Sequence, residues 1–165
     1  MNFTGRFQSE NVTDIVESGS GNMRLIPRSM FALLLLAATS GFANADVSEL
    51  STEALQAMIA DDVIVIDVRR DDEWKRTGLV AGSHPITFFD ARGRYDVADW
   101  LSQVEAISDG DERTRKVVLI CARGVRSSKI AKLLDKRLGF QEIYNVTDGI
   151  NHWIDAGKPV EKFVP

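Results

Sequence analysis

Three runs of strand-forming residues separated by helical patterns constrain this chain more than any other feature. Val63-Ile64-Val65-Ile66 is β-branched throughout, Lys116-Val117-Val118-Leu119-Ile120-Cys121 is the second run, and Gln141-Glu142-Ile143-Tyr144-Asn145-Val146 is the third. Runs that stay apolar instead of alternating fit strands covered on both faces. Shorter strands are expected near Val47 and Ile86. Residues 52–60 place Leu55, Met58 and Ile59 at helical spacing behind a Ser51 or Thr52 N-cap, with Glu53 in the first turn. Residues 98–107 repeat the pattern through Trp100, Leu101, Val104 and Ile107. Residues 127–138 put Ile130, Ala131, Leu133, Leu134 and Leu138 on one stripe that stops at Gly139, a residue suited to the turn after a helix. Strands alternating with amphipathic helices predict an α/β fold, an open parallel sheet flanked by helices on both faces. With 165 residues, 44% apolar and 27% charged, there is room for one ordinary domain and not for two large ones.

The N-terminal part has a different character. Met30 begins an apolar run, MFALLLLAA, preceded by the basic stretch Met23-Arg24-Leu25-Ile26-Pro27-Arg28 and followed by Ala43-Asn44-Ala45. That is the shape of a cleavable signal peptide, with cleavage expected after Ala45 and small residues where a signal peptidase reads. A membrane anchor would need about 20 apolar residues, and Thr39, Ser40, Gly41 and Asn44 interrupt this run. Residues 1–22 carry Glu10, Asp14 and Glu17 against Arg6, a poor leader start, so Met23 is the expected initiator. The expectation is an extension and signal peptide over 1–45, one domain over 46–165, and a periplasmic or secreted protein without a membrane anchor.

A net charge of −4 argues against a nucleic-acid partner held by an overall basic surface. One cysteine excludes an internal disulfide, and two histidines with one cysteine cannot assemble a Cys/His zinc site, so no metal is expected. Charge is uneven, however: residues 113–137 hold nine Lys and Arg against Asp135 alone. An anionic ligand would be drawn there, although Lys129, Lys132 and Lys136 also fit a solvated helix face.

The chemistry concentrates where the second strand meets the third helix, in Cys121-Ala122-Arg123-Gly124-Val125-Arg126-Ser127-Ser128. In open α/β sheets ligands collect at the carboxyl ends of strands, where a helix N-terminus offers free N–H groups and positive potential. A thiol in that position, flanked by Arg123 and Arg126, is expected to be reactive. Gly124 lets the backbone curl so that several N–H groups converge. A lone cysteine at a strand end also fits a small buried apolar residue, and the Arg-Gly-x-Arg-Ser context favours the reactive thiol.

With these motifs assembled, residues 46–165 resemble the rhodanese-like sulfurtransferases. Val65-Ile66-Asp67-Val68-Arg69, then Glu73-Trp74 and Thr77-Gly78, is similar to that family's Asp-Val-Arg, Glu-Trp/Tyr and Gly-His-Ile stretch. Cys121 to Ser127 resembles its active loop, and Asp148-Gly149, Trp153 and Ala156-Gly157-Lys158-Pro159-Val160 its C-terminal signature. Leu79-Val80, Ser83-His84-Pro85 and Asp148 depart from the pattern, at packing and turn positions. With its leader, the chain is most similar to small single-domain rhodaneses exported to the periplasm.

The resemblance implies double displacement. Cys121 attacks the outer sulfur of an anionic donor such as thiosulfate, becomes a persulfide, and yields the sulfur to cyanide or a thiol, with no metal or organic cofactor. Ala122, Arg123, Gly124, Val125, Arg126 and Ser127 form the binding loop, with Arg123 and Arg126 as candidates for the donor and Arg126 equally suited to bracing the loop. Asp67 is expected beside the loop in a supporting role. Arg69, also supporting, is expected to pair with Glu73. His84 and His152 are expected to be ordinary polar residues. Four residues separate Cys121 from Arg126, the sulfurtransferase spacing, whereas the related dual-specificity phosphatases carry five. The competing readings are a non-catalytic sulfur-binding or sensor module and a phosphatase-like enzyme.

Overall fold

The computed structural model describes residues 47–61 and 63–165, so the leader, its cleavage after Ala45 and the Met23 start lie outside the described residues. The three apolar runs become β2 (Ile64–Asp67), β5 (Lys116–Ile120) and β6 (Glu142–Val146), joined in one sheet by β1 (Ser48–Leu50) and β4 (His84–Pro85). The sheet order is β1-β6-β5-β2-β4, and every pair is parallel. Leu79–Val80 forms β3, which pairs antiparallel with β7 (Val160–Glu161) in a separate ribbon.

Side chains alternate across a strand, so an all-apolar strand must be covered twice. Ile64, Ile66, Val117 and Leu119 pack with Trp100, Val104, Ile130, Ala131 and Leu134 in one core. Val65, Val118 and Ile120 pack with Leu55, Ile150 and Trp153 in the other. The first layer belongs to α3 (Val97–Ser108) and α4 (Val125–Leu138), the second to α1 (Thr52–Met58) and α5 (Gly149–Asp155). This is the expected open parallel sheet with helices on both faces. Each fully buried Ile, Leu or Val contributes roughly 1.5–3 kcal/mol, which makes these two layers the main source of stability.

The expected helices form, with small shifts at their ends. Ser51 caps α1 by accepting the Ala54 N–H at 3.2 Å, and the segment closes with a 3-10 turn at Ile59–Asp61. α4 begins at Val125 and stops at Gly139, whose φ of 74° places it in the left-handed region. Two helices were not expected: α5 and α2 (Asp71–Thr77), each seven residues long. Among the described residues no helix is long and apolar enough to cross a membrane.

Candidate active site

β5 ends at Ile120, so Cys121 is the first residue of the loop that turns into α4. The turn requires Gly124, which sits at φ 74° as the N-cap of α4. A Cβ at that position would lie 1.8 Å from the Thr147 carbonyl oxygen. The loop is held from the other side by α5. Ile150 N–H donates to the Cys121 carbonyl at 2.9 Å and Asn151 N–H to the Ala122 carbonyl at 3.1 Å. Gly149 brings α5 that close, since a Cβ there would stand 2.3 Å from the Cys121 oxygen. Two loop carbonyls are thus tied to α5, and the loop then runs into the first turn of α4. The first turn of a helix has no intrahelical acceptor for its N–H groups, and the earliest bond into α4 is Ser128 N–H to Gly124 O at 3.0 Å.

A hollow of about 280 Å³ lies at this helix end, lined by Cys121, Ala122, Arg123, Val125 and Arg126. Cys121 is only 1% exposed, so access to its sulfur is through the hollow. The fully buried Ser127 places its hydroxyl 3.3 Å from Cys121 Sγ and 3.1 Å from the Gly124 carbonyl, able to donate its one proton to either.

The two arginines of the loop have different surroundings. Arg126 donates through Nη1 to Glu73 Oε2 at 2.8 Å and through Nη2 to Oε1 at 2.6 Å. That fork holds the Glu73 carboxyl down to about 2 from an ordinary 4.5, against the opposing effect of burial, and the Arg70 N–H adds to the lowering. Arg126 is itself raised, first by hydrogen bonding to Glu73, and the charges of Cys121 and Asp67 also favour its cationic form. Arg123, by contrast, is exposed and makes no hydrogen bond or ion pair among the described residues.

The expected pairing of Arg69 with Glu73 is wrong. Arg69 pairs with Asp67, donating from Nε to Oδ1 at 2.9 Å and from Nη2 to Oδ2 at 2.8 Å, with both residues buried. Its remaining donors reach Thr77 Oγ1 and the Gly78 carbonyl, both at 2.7 Å. The geometry explains the exchange: two residues apart at a strand end, Asp67 and Arg69 close a fork locally, while Glu73 in the first turn of α2 faces α4. Asp67 is in register with Ile120, one residue before Cys121, which places the buried pair beside the loop as expected. No sequence signal distinguished Glu73 from the neighbouring Asp71 and Asp72 as the partner of Arg126. Among the described residues no cluster of three or more His, Cys, Asp or Glu could hold a metal ion.

Residues 51–156 match the family described as Rhodanese, the rhodanese-like domain. The chain belongs to the rhodanese-like sulfurtransferase family. Among relatives of this rhodanese-like chain, YtwF of Bacillus subtilis (strain 168), which carries a sulfurtransferase name, is 29% identical over 116 residues, 69% of this chain and 97% of that protein. A tRNA uridine(34) hydroxylase of Albidiferax ferrireducens is 32% identical over 105 residues, 62% of this chain and 31% of that protein. The rhodanese-like chain thus spans about a third of the hydroxylase. The thiosulfate sulfurtransferase of Pseudomonas aeruginosa shares the fold, with a TM-score of 0.55 at 23% identity over 70% of this chain and 20% of that one.

Proposed function

We propose that the protein transfers a sulfane sulfur from a small anionic donor such as thiosulfate to cyanide or a thiol, through a persulfide on Cys121. The observation that carries this reading is the lone thiol with Ser127 Oγ at 3.3 Å, in a hollow at the N-terminus of α4. In the first half-reaction the Cys121 thiolate attacks the outer sulfur of thiosulfate. A Sγ–S bond forms, the sulfur–sulfur bond of thiosulfate breaks, and its electron pair leaves on sulfite. In the second half an acceptor removes the outer sulfur and the thiolate returns. This is covalent catalysis that divides one transfer into two steps, with loop N–H groups and Ser127 meeting the sulfur's negative charge in each. Arg123 attracts the donor, while Arg126 braces the loop through Glu73. The chemistry asks for no metal or organic cofactor.

The test is the intact mass of the protein after exposure to thiosulfate. A gain of one sulfur atom, absent in Cys121→Ser with an unchanged circular dichroism spectrum, is the expected result. Hydrolysis of aryl phosphates with no sulfur gain would put a phosphatase in its place. Neither sulfur gain nor turnover would leave a binding module.

A further inference from the structure

Beside the Cys121 hollow lies a second cavity of about 400 Å³, and the two share Arg123 and Val125 on their walls. The charged side chains on its walls are of both signs: Arg123, Lys129 and Lys132 on one side, Glu49 with the polar Asn145 and Thr147 on the other. The three cations make no ion pair among the described residues. Glu49 is an exposed side chain held in place by two neutral donors. Asn145 Nδ2 donates to its Oε2 at 2.7 Å and Thr147 Oγ1 to the same oxygen at 3.0 Å. Oε1 therefore accepts nothing among the described residues. Asn145 is its partner in the parallel β1–β6 register and is 2% exposed, yet its buried Oδ1 also lacks a hydrogen-bond partner.

A fixed carboxylate with a free oxygen, sharing one cavity with unpaired cations, forms the complement of a zwitterion. Groups of this kind left without partners favour a ligand that supplies them. We propose, building on the sulfurtransferase reading, that this cavity is the acceptor subsite and selects a small thiol bearing one ammonium and at least one carboxylate, an amino-acid or short-peptide thiol. Its ammonium meets Glu49 Oε1, its carboxylate meets Lys129 and Lys132, and its sulfur passes the Arg123–Val125 wall into the Cys121 hollow. There the acceptor thiolate attacks the outer sulfur of the protonated Cys121 persulfide. A new S–S bond forms, the bond to Sγ breaks, and its electron pair restores the Cys121 thiolate. The acceptor departs as a hydropersulfide, keeping the proton, and the whole protein undergoes no net redox change.

The experiment compares L-cysteine, cysteamine and 3-mercaptopropionate as acceptors in full-length wild type, Glu49→Gln and Lys132→Met. Intact mass after thiosulfate and before any thiol is added reports persulfide formation alone. If the wild type gains no sulfur, the sulfurtransferase reading and this proposal fall together. If it does, the ratios of kcat/KM among the three thiols within each preparation decide the subsite, independently of how much of a variant is folded. Loss of one charged contact at a partly solvated site predicts a change of about three- to tenfold. In Glu49→Gln the cysteine to 3-mercaptopropionate ratio falls by that factor, because only cysteine carries the ammonium. In Lys132→Met the cysteine to cysteamine ratio falls likewise. Ratios equal to the wild type's in both variants overturn the proposal while leaving the persulfide chemistry intact.

Discussion

Arg126 and Glu73 form a two-pronged ion pair, 2.8 and 2.6 Å long, between the active loop and α2. It joins two anchors: α2 is held by Arg69 through Thr77 and Gly78, and Arg69 in turn by Asp67 at the end of β2. The chain of contacts runs from the sheet to the residue five places after the nucleophile. It also neutralises charge, since both cations of the chain have carboxylates. Arg123 is then the net positive side chain at the hollow.

Replacing Glu73 with Gln removes one charge with little change of shape. The loss is expected to be about 1–2 kcal/mol, the lower part of the range for hydrogen bonds between charged groups because Arg126 is 27% exposed. The contribution depends on pH in a definite direction. With the carboxyl at about 2 in the fold and 4.5 ordinarily, the unfolded chain binds more protons in between, so stability from this pair is complete above pH 4.5 and is lost as pH falls to about 2. Urea unfolding of wild type and Glu73→Gln across that range should show a gap that is constant above pH 5 and closes towards pH 2. A gap that persists at pH 2 would assign it to packing.

Gly124→Ala tests the loop's main chain. A Cβ at 1.8 Å from the Thr147 oxygen requires the α5 turn to move, and φ at 74° is strained for any L side chain. Left-handed strain of about 1–2 kcal/mol and overpacking of about 1–3 kcal/mol act together. A thermal melt should show a clear loss of Tm, accompanied by loss of sulfur transfer. A variant as stable and active as wild type would mean that the loop does not need this approach.

Much of this was legible beforehand, for reasons that separate local from distant contacts. The all-apolar runs around Ile64 and Val118 report two-sided burial directly, so the layered sheet follows. Gly139 and Ser51 mark helix ends through their own main-chain chemistry. The loop from Cys121 to Ser127 was recognisable because its residues are contiguous. What escaped depends on partners far away in the chain. α2 and α5 are too short to show a period, having Trp74 alone or Ile150 and Trp153 as buried apolar side chains. The β3–β7 ribbon joins Val80 to Val160, a pairing with no local signature. Glu73 meets Arg126 across 53 residues of sequence, at the first turns of two separate helices.

Asp67→Asn should be severely destabilising. It leaves the buried Arg69 guanidinium facing a neutral amide, and breaking a buried pair typically costs about 3–5 kcal/mol. The double replacement Asp67→Leu with Arg69→Met removes both charges and should lose less than the single change. Denaturant unfolding of the two variants compares them directly. A single variant milder than the double would mean that Arg69 finds enough compensation from Thr77 and Gly78.

Arg123→Gln isolates the donor's attraction to the site. The side chain is exposed and without a partner among the described residues, and it lines the Cys121 hollow, so its removal should leave the fold and Tm close to those of wild type. Thiosulfate is doubly negative, whereas a neutral thiol is not. Loss of one nearby cation should therefore raise KM for thiosulfate about three- to tenfold at low ionic strength, with a smaller change in kcat. The Debye length shrinks from about 30 Å at 0.01 M salt to about 8 Å at 0.15 M. A cation acting at a distance would lose its effect over that range, whereas one in direct contact with the donor would keep part of it. Steady-state kinetics of both proteins across this salt series reads the difference. Equal KM values at low salt would remove Arg123 from donor capture and leave that task to the N–H groups at the start of α4.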